Sequence, residues 1–411
     1  MHRSVTVSHQ RTQRGATLRT ETGRMNQVAQ RLVPFGESIF STMSRLAVQH
    51  QAVNLSQGFP DFDGPDWLKE AAVKAIRSGP NQYAPSLGNP LLRQKLSQKM
   101  EREAGLKYDP DREITVVSGA TEGIAAVLLG LLNPEDEVIL FEPFYDSYPA
   151  CVAMAGATAR FLPLQLPDFS VDWEALEKLI NPNTRALMIN TPGNPHGKVF
   201  SSHELDLFRQ LGERHPQLIF ITDEVYEHIV FAPAVHVHLA SLPGMRDKTM
   251  VISSFSKTLS MTGWKVGYVF APPALTAAVR ASHQFLTFCS VSPLQAALAE
   301  VMDRLPDYTS EVQQEYLQRR DLWCNLLEEA KIPYNVPQGS YFVISDVRSL
   351  GHEDDVKFCH WITEKLGVAA IPASAFYHTP GAGRGLVRWA FCKSLDTLRQ
   401  AGQRLLPLRN S

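Results

Sequence analysis

The chain has 411 residues, 44% of them hydrophobic, which predicts a globular protein of roughly two to three domains with a sizeable core. Its 40 basic and 42 acidic residues leave a net charge of −2, which disfavours nucleic-acid or membrane-surface binding, and the longest apolar run, residues 124–132, is about half of a membrane span. The five cysteines are widely spaced and form no CxxC pair, which disfavours a zinc ribbon or a disulfide scaffold and favours a reducing compartment such as the cytoplasm.

Residues 1–24 differ in composition from the rest of the chain. The first twenty contain four arginines and no acid, and they lack the apolar stretch of a secretory signal. This composition resembles a mitochondrial transit peptide. The alternative is a head without a function, disordered because it has almost nothing to bury. We predict a disordered head over residues 1–24 and a cytoplasmic protein, or a mitochondrial one if the head is a transit peptide.

From about residue 66 the sequence alternates between helical and strand-like segments. Apolar residues at helical spacing predict a helix that begins near Trp67 and ends at Gly79. Ser201 and Glu204 form a capping box that begins another helix. Short apolar runs typical of buried strands stand at residues 114–117, 138–141, 186–189, 218–221 and 250–252. This order predicts an α/β fold with a mainly parallel sheet between helices.

The last third of the chain has a different pattern, which predicts a smaller α+β domain. A long amphipathic helix is expected over residues 309–330, then a strand at 341–344, a helix, a strand at 386–391 and a closing helix. We therefore predict an N-terminal arm with part of the small domain over residues 25–57. The large domain is expected over residues 58–297, and the rest of the small domain over residues 298–411.

The residues that follow the predicted strands are candidates for a ligand site, because open α/β sheets bind ligands at the carboxyl ends of their strands. Ala120 and Thr121 lie in a small-residue turn at a helix N-terminus, which suits a phosphate although such a turn is more often structural. Tyr145 can stack on a flat ring or pack in the core, and Asn194 lies in a loop of turn residues. Asp223 ends a buried strand, where a carboxylate needs a cationic partner unless the strand end is simply solvated.

Two lysines in residues 253–267 are the most specific signal. Lys257 follows a buried strand and stands among hydroxyl side chains such as Ser254, which suits a Schiff-base nucleophile. Lys265, eight residues later and between glycines, is a candidate phosphate contact. The alternative, two surface lysines in a loop, is disfavoured by the flanking apolar strand. Together the strand ends offer a phosphate cradle, a ring stacker, a hydrogen-bond donor, an acid and an amine, which pyridoxal 5′-phosphate (PLP) requires.

Arg388 is a charged residue in an otherwise apolar strand, residues 386–391. A guanidinium is rarely buried without an anion, and its fork of donors suits a carboxylate. The alternative is an arginine that faces outwards from the strand. Glycine-rich residues 381–385 look like a dinucleotide motif, but they precede a strand instead of opening a helix, so we interpret them as a turn.

From about residue 30 to the C-terminus the sequence resembles the class I aminotransferases of PLP fold type I. Within them it is most similar to the branch of kynurenine aminotransferase, glutamine transaminase K and bacterial methionine aminotransferase. The resemblance lies in NLSQGFPD at residues 54–61, NQY at 81–83, NPHG at 194–197, DEVY at 223–226, and the segment from SKT at 256 to the glycine at 267. It implies a large domain with a mainly parallel, seven-stranded sheet and a smaller α+β domain.

The resemblance also implies roles for individual residues. Lys257 is the Schiff-base lysine, Asp223 pairs with the pyridinium nitrogen, and Tyr226 together with Asn194 hydrogen-bonds the phenolic oxygen. The other expected cofactor contacts are Ala120, Thr121, Tyr145, Ser254, Lys265 and, donated across the interface of a homodimer, Tyr83. The expected substrate contacts are Gly58 and Arg388 at the α-carboxylate, Asn194, and Phe40 and Phe288 in the side-chain pocket. No metal is expected.

The chain departs from the family pattern at two positions. Many relatives have arginine where this chain has Lys265, although the similar branch itself has lysine. Cys289 stands where the mammalian kynurenine-type enzymes have histidine, which makes their substrate range a poor guide to this chain.

The resemblance predicts a ping-pong aminotransferase that moves the amino group of an apolar, aromatic or sulfur-containing L-amino acid to a 2-oxo acid. Phe40, Phe59 and Phe288 favour such side chains, and the sequence shows no second arginine for a dicarboxylate. The alternative is a PLP-dependent C–S β-lyase that uses the same Lys257 and Asp223. A PLP-domain transcription regulator is disfavoured, because about 30 residues before the core are too few for a DNA-binding domain. The sequence does not rank methionine, kynurenine, glutamine, phenylalanine and leucine as donors.

Overall fold

The computed structural model describes residues 28–410, so the predicted head at residues 1–24 lies outside the described residues. The strands are β1 (Val53–Asn54), β2 (Ile114–Val117), β3 (Glu137–Glu142), β4 (Thr158–Pro163), β5 (Thr184–Asn190), β6 (Ile219–Asp223), β7 (Thr249–Ser254), β8 (Gly267–Phe270), β9 (Phe342–Asp346), β10 (Val368–Ala369), β11 (Ile371–Pro372) and β12 (Leu386–Ala390). The α-helices are α1 (Ile39–Gln49), α2 (Asp66–Ser78), α3 (Pro90–Ala104), α4 (Gly119–Leu131), α5 (Ser147–Met154), α6 (Trp173–Leu179), α7 (Ser202–Arg214), α8 (Phe255–Thr258), α9 (Pro273–Leu286), α10 (Ser292–Val301), α11 (Leu305–Glu329), α12 (Asp355–Trp361) and α13 (Leu395–Leu405).

A seven-stranded sheet in the order β2-β8-β7-β6-β5-β3-β4 forms the centre of the fold. Neighbouring strands from β7 to β4 are parallel, whereas β8 is antiparallel to both β7 and β2. Every residue of β7 is buried, as expected for a strand that is covered on both faces. The predicted α/β fold with a mainly parallel sheet is therefore confirmed, and the five predicted strands correspond to β2, β3, β5, β6 and β7.

Helices cover the sheet, and their ends follow the capping signals in the sequence. α4 packs against α9 and α5, and α2 packs against α10. The helix predicted to end at Gly79 is α2, and its C-cap glycine has a φ of 85°, which favours glycine. The capping box before α7 is present: the Glu204 N–H donates to Ser201 Oγ at 3.2 Å, and the Ser201 N–H donates to Glu204 Oε2 at 2.9 Å. Within residues 28–410 no helix has the length and apolar character needed to cross a bilayer.

Two small sheets form the second part of the molecule. β11, β12 and β9 make an antiparallel sheet, and β1 pairs in parallel with β10, which joins the N-terminal arm to the C-terminal third. The predicted strands at 341–344 and 386–391 correspond to β9 and β12, and the predicted helix at 309–330 corresponds to α11. Trp323 of α11 packs on Trp389 of β12, with ring centroids 5.6 Å apart. The domain boundaries at residues 58 and 298 stay a prediction.

This topology brings the candidate residues to one edge. Because β2, β7, β6, β5 and β3 run in the same direction, their carboxyl ends lie along the same edge of the sheet. The segments that leave these ends carry most of the residues singled out by the sequence. Arg388 comes from β12 in the small antiparallel sheet instead, so the site lies between the two sheets.

Candidate active site

A cleft of about 440 Å³ opens at the carboxyl edge of the central sheet. Twelve of the fourteen predicted site residues line it. They are Phe40, Gly58, Ala120, Thr121, Tyr145, Asn194, Asp223, Tyr226, Ser254, Lys257, Lys265 and Arg388. Several further residues line the cleft that the sequence did not single out, among them Tyr148, Asn190 and Asp146, which carry polar groups.

Tyr83 and Phe288 do not line this cleft. They are 83% and 44% exposed, and their rings pack edge to face with centroids 5.3 Å apart. Within one chain they therefore form an exposed aromatic pair.

Lys257 is the amine of the site. β7 ends at Ser254, and the short helix α8 that follows places Lys257 against the cleft. Desolvation lowers the pKa of Lys257 to about 8, and the charges of Lys265 and Arg388 act in the same direction. Its Nζ lies 6.0 Å from the ring centroid of Tyr226. A lysine with a lowered pKa is neutral more often near physiological pH, which suits a nucleophile and a general base.

Asp223 is the acid of the site, and it is 3% exposed at the end of β6. The Tyr148 O–H donates to its Oδ2 at 2.6 Å, and the Val225 N–H donates to its Oδ1 at 3.3 Å. Burial nevertheless raises the pKa of Asp223 to about 6, because the hydrogen bonds offset only part of the desolvation. A cation placed beside it, such as a protonated ring nitrogen, would stabilise the ionised form of this buried carboxylate.

The Tyr148 hydroxyl is a functional group that the sequence analysis missed. Tyr148 lies in the first turn of α5, three residues after Tyr145, and the two rings pack edge to face with centroids 5.6 Å apart. Tyr145 precedes the N-cap residue Asp146, so the two rings meet through the turn into α5, in which the Tyr148 N–H donates to the Tyr145 carbonyl at 3.0 Å. Helical spacing therefore does not assign Tyr148 to the site.

Arg388 is buried, as its strand predicts, at 1% exposure. Its Nη1 donates to Asn194 Oδ1 at 3.1 Å, and its Nη2 donates to the Ser56 carbonyl. The guanidinium packs against the rings of Phe342 and Phe40, with centroids at 4.4 and 4.9 Å. Burial lowers the pKa of Arg388 only to about 10, so it stays charged at neutral pH. Within residues 28–410 it forms no ion pair, which leaves it available for the carboxylate of a ligand.

The first turn of α4 forms an anion cradle with Lys265. Gly119 opens this helix with a φ of 74°, and a Cβ placed there would lie 3.2 Å from the Cε of Lys265. Lys265 Nζ donates to Thr121 Oγ1 at 3.4 Å. Gly267 lets β8 approach the first turn of α4 closely, since a Cβ there would lie 2.9 Å from the backbone nitrogen of Ala120. Free N–H groups at a helix N-terminus and an adjacent ammonium group suit a phosphate.

These features fit PLP, each on a separate observation. The cleft has an amine for the aldehyde, a buried carboxylate that forms no ion pair within residues 28–410, and a glycine-lined cradle for the phosphate. An aromatic side chain, Tyr145, also lines the cleft. The cleft therefore carries a partner for the aldehyde, the ring nitrogen and the phosphate of the cofactor.

Comparisons with known proteins agree with this geometry. The family model "Aminotransferase class I and II" matches residues 50–405. Methionine aminotransferase from Escherichia coli is 42% identical over 378 residues, which cover 92% of this chain and 97% of that protein. Kynurenine–oxoglutarate transaminase 3 from Mus musculus is 36% identical over 402 residues, which cover 91% and 88%. The structure of N-succinyldiaminopimelate aminotransferase from Mycobacterium tuberculosis has a TM-score of 0.90 at 43% identity and covers 93% of this chain and 100% of that chain.

Proposed function

This chain belongs to the class I and II aminotransferases, and from that premise we propose that it moves the amino group of an apolar, aromatic or sulfur-containing L-amino acid to a 2-oxo acid. The observation that carries the proposal is the convergence of Lys257, Asp223 and Arg388 on one cleft. Relatives of similar identity are named for methionine and for N-succinyldiaminopimelate, so identity alone does not select the donor. The choice of donor has to be argued from the cleft.

The family uses PLP, which supplies, when bound, an electron-accepting ring that stabilises the negative charge left when the substrate Cα loses its proton. Asp223 would hold the protonated ring nitrogen, and its own desolvation makes that pairing favourable. Asn194 and Tyr226 would contact the phenolic oxygen, and Tyr145 would cover the ring. The residues that would hold the phosphate are Ala120, Thr121, Ser254 and Lys265.

Lys257 is the proposed general base and acid. Its pKa of about 8 leaves a useful neutral fraction at neutral pH, so Nζ can take the proton from the Cα of the amino acid donor and, in the second half-reaction, deliver a proton to the Cα of the 2-oxo acid. The amino group leaves to a 2-oxo acid in a second half-reaction that uses the same residues in reverse. Ping-pong kinetics are therefore expected.

Arg388 and Gly58 are the proposed contacts of the substrate α-carboxylate. The Gly58 carbonyl accepts from Tyr341 Oη at 2.6 Å, and a Cβ on Gly58 would lie 2.8 Å from the Cζ of Phe342, so the backbone approaches the cleft only because the residue is glycine. Asn194 fixes one arm of the Arg388 fork. Phe40, which packs on that guanidinium, supports apolar side chains in the same cleft.

We further propose a homodimer with shared active sites, in which Tyr83 reaches the phosphate and Phe288 the substrate pocket of the other subunit. Their exposure and mutual packing support this, because large aromatic side chains exposed together are typical of interfaces.

We also propose a cytoplasmic location, supported by five cysteines that form no disulfide; a transit peptide in residues 1–24 would make the protein mitochondrial. Sedimentation of the purified protein and fractionation of cells test the two proposals.

The test of the function is Lys257→Ala assayed beside wild type with methionine, kynurenine, glutamine, phenylalanine and leucine as donors. We expect the variant to lose turnover and the visible absorption band of the lysine-bound cofactor. Lys357→Ala, which alters a side chain that is 85% exposed, is the matched control and should keep both. Full activity in Lys257→Ala would overturn the assignment.

A cysteine conjugate, assayed beside this panel, separates the alternative. A C–S β-lyase would release pyruvate and ammonia from the conjugate without an added 2-oxo acid acceptor, and it would not produce a new amino acid. Amino transfer from at least one donor of the panel is the result that the proposal requires.

A further inference from the structure

Asp146 places a carboxylate in the same cleft as Arg388. It is partly buried, it directly follows Tyr145, and it lines the cleft. Within residues 28–410 its carboxylate forms no ion pair, and its hydrogen bond from Ser38 Oγ is long, at 3.5 Å. Although Asp146 is the N-cap residue of α5, its side chain does not cap the helix. The backbone N–H groups of Ser147 and of Asp146 itself also stabilise this carboxylate, so Asp146 holds a partly desolvated negative charge at the wall of the cleft.

The charge of Asp146 acts on whatever occupies the cleft. Burial raises the pKa of Asp146, while the nearby guanidinium of Arg388 lowers it. Burial lowers the pKa of Arg388, and Asp146 opposes that shift less than Tyr226, Cys392 and Tyr341 do. Both residues line the same cleft, and Asp146 accepts from Ser38, two residues before Phe40 of the proposed side-chain pocket, so a ligand side chain held beside Phe40 lies in the field of Asp146.

The cleft offers no cation for a second carboxylate. In the part of the chain that the structure describes, the cationic side chains that line it are Lys257, Lys265 and Arg388, and the proposed reaction uses each of them. Gln57 also lines the cleft, but its Nε2 already donates to the Phe40 carbonyl at 3.1 Å and to Ser44 Oγ at 2.6 Å. A side-chain carboxylate would thus meet the negative charge of Asp146 without a compensating donor from these groups.

We propose that Asp146 is a specificity residue that makes this cleft reject amino acids and 2-oxo acids whose side chain carries a carboxylate. Neutral side chains of the same size escape the repulsion between like charges, which is strong in a cleft that is partly shielded from water. The inference rests on the proposed aminotransferase function and names its substrate class more closely. It predicts that 2-oxoglutarate is a poorer acceptor than a neutral 2-oxo acid of similar length.

The test compares glutamine with glutamate, because the two donors differ only by an amide in place of a carboxylate. We expect wild type to favour glutamine in kcat/KM by at least about tenfold, and Asp146→Asn to reduce that ratio by about tenfold, which corresponds to about 1.4 kcal/mol. Asp247→Asn removes the same charge at a side chain that is 87% exposed and outside the cleft, so it should leave the ratio unchanged.

Each outcome separates this inference from the proposed function. If wild type transfers an amino group from no donor, the proposed function fails. If wild type is an aminotransferase but does not favour glutamine, or if Asp146→Asn keeps the wild-type ratio, the role of Asp146 is overturned. Should Asp146→Asn fail to fold, Asp146→Ser and the wild-type comparison of 2-oxoglutarate with 4-methylthio-2-oxobutanoate test the same repulsion. Equal kcat/KM for these two acceptors would also overturn it.

Discussion

Asp223 should make the cofactor-free protein less stable at neutral pH, and Asp223→Asn should remove that cost. Burial raises the pKa of this carboxyl from 3.8 to about 6. A difference of about two units corresponds to about 3 kcal/mol. Because the folded pKa lies above the unfolded one, the penalty is absent below about pH 4, grows as the pH rises towards 6, and is complete at pH 7.

The variant suits the test because it changes charge and little else. An asparagine keeps an oxygen that can accept from the Tyr148 O–H and the Val225 N–H. Urea unfolding of the cofactor-free protein should show Asp223→Asn to be more stable than wild type by up to about 3 kcal/mol at pH 7. The advantage should vanish towards pH 4, where both chains are neutral at this position. By thermal unfolding, the gain at pH 7 corresponds to about 3 °C in Tm for a chain of this length.

Added cofactor should reverse the order. The wild-type carboxylate gains a cationic partner, so PLP should raise the Tm of wild type by more than that of Asp223→Asn. Asp247→Asn again serves as the control for net charge and should match wild type throughout. A stability difference between Asp223→Asn and wild type that does not change with pH would refute the argument from burial.

Two further changes test the surroundings of the reacting groups. Tyr148→Phe removes the hydrogen-bond donor to Asp223 Oδ2. Because a hydrogen bond to a charged group contributes about 1.5–3 kcal/mol, its loss should raise the pKa of Asp223 by about one unit or more. The acidic side of the pH profiles of cofactor binding and turnover should move up by the same amount. An unchanged pH profile would contradict this role. Arg388→Lys keeps the charge but loses the fork that Asn194 orients, so KM for the donor should rise by about tenfold or more while the cofactor absorption band is unchanged. A loss in kcat alone, with KM intact, would contradict the assignment of Arg388 to substrate binding.

The sheet was predictable where burial on both faces produces an unbroken apolar run. β7 is such a strand, and all of its residues are buried. β4 was missed because it lies at the edge of the sheet and its residues alternate between exposed and partly buried, which breaks the run. β8 was missed for another reason: it has four residues and begins with Gly267, a poor strand former that is required by the close approach to α4.

The site was predictable where a residue stands directly at a strand end. Asp223 is the last residue of β6, and Lys257 lies three residues after the end of β7, so the sheet fixes the position of both. Tyr148 and Asp146 could not be placed in this way, because their positions depend on how the turn after β3 leads into α5. The pairing of Tyr83 with Phe288 was hidden for a different reason, since it joins segments about two hundred residues apart that carry no shared pattern.

The antiparallel pairing of β7 with β8 has a consequence for the two lysines. Ser254 at the end of one strand pairs with Gly267 at the start of the other, so residues 255–266 form a loop whose ends are held together. Both Lys257 and Lys265 belong to this loop, so its length fixes the distance between the reacting amine and the ammonium group that contacts the phosphate. An inserted or deleted residue between them would change that distance even if no side chain were substituted. The eight-residue interval is therefore a better marker of this chemistry in a new sequence than either lysine alone.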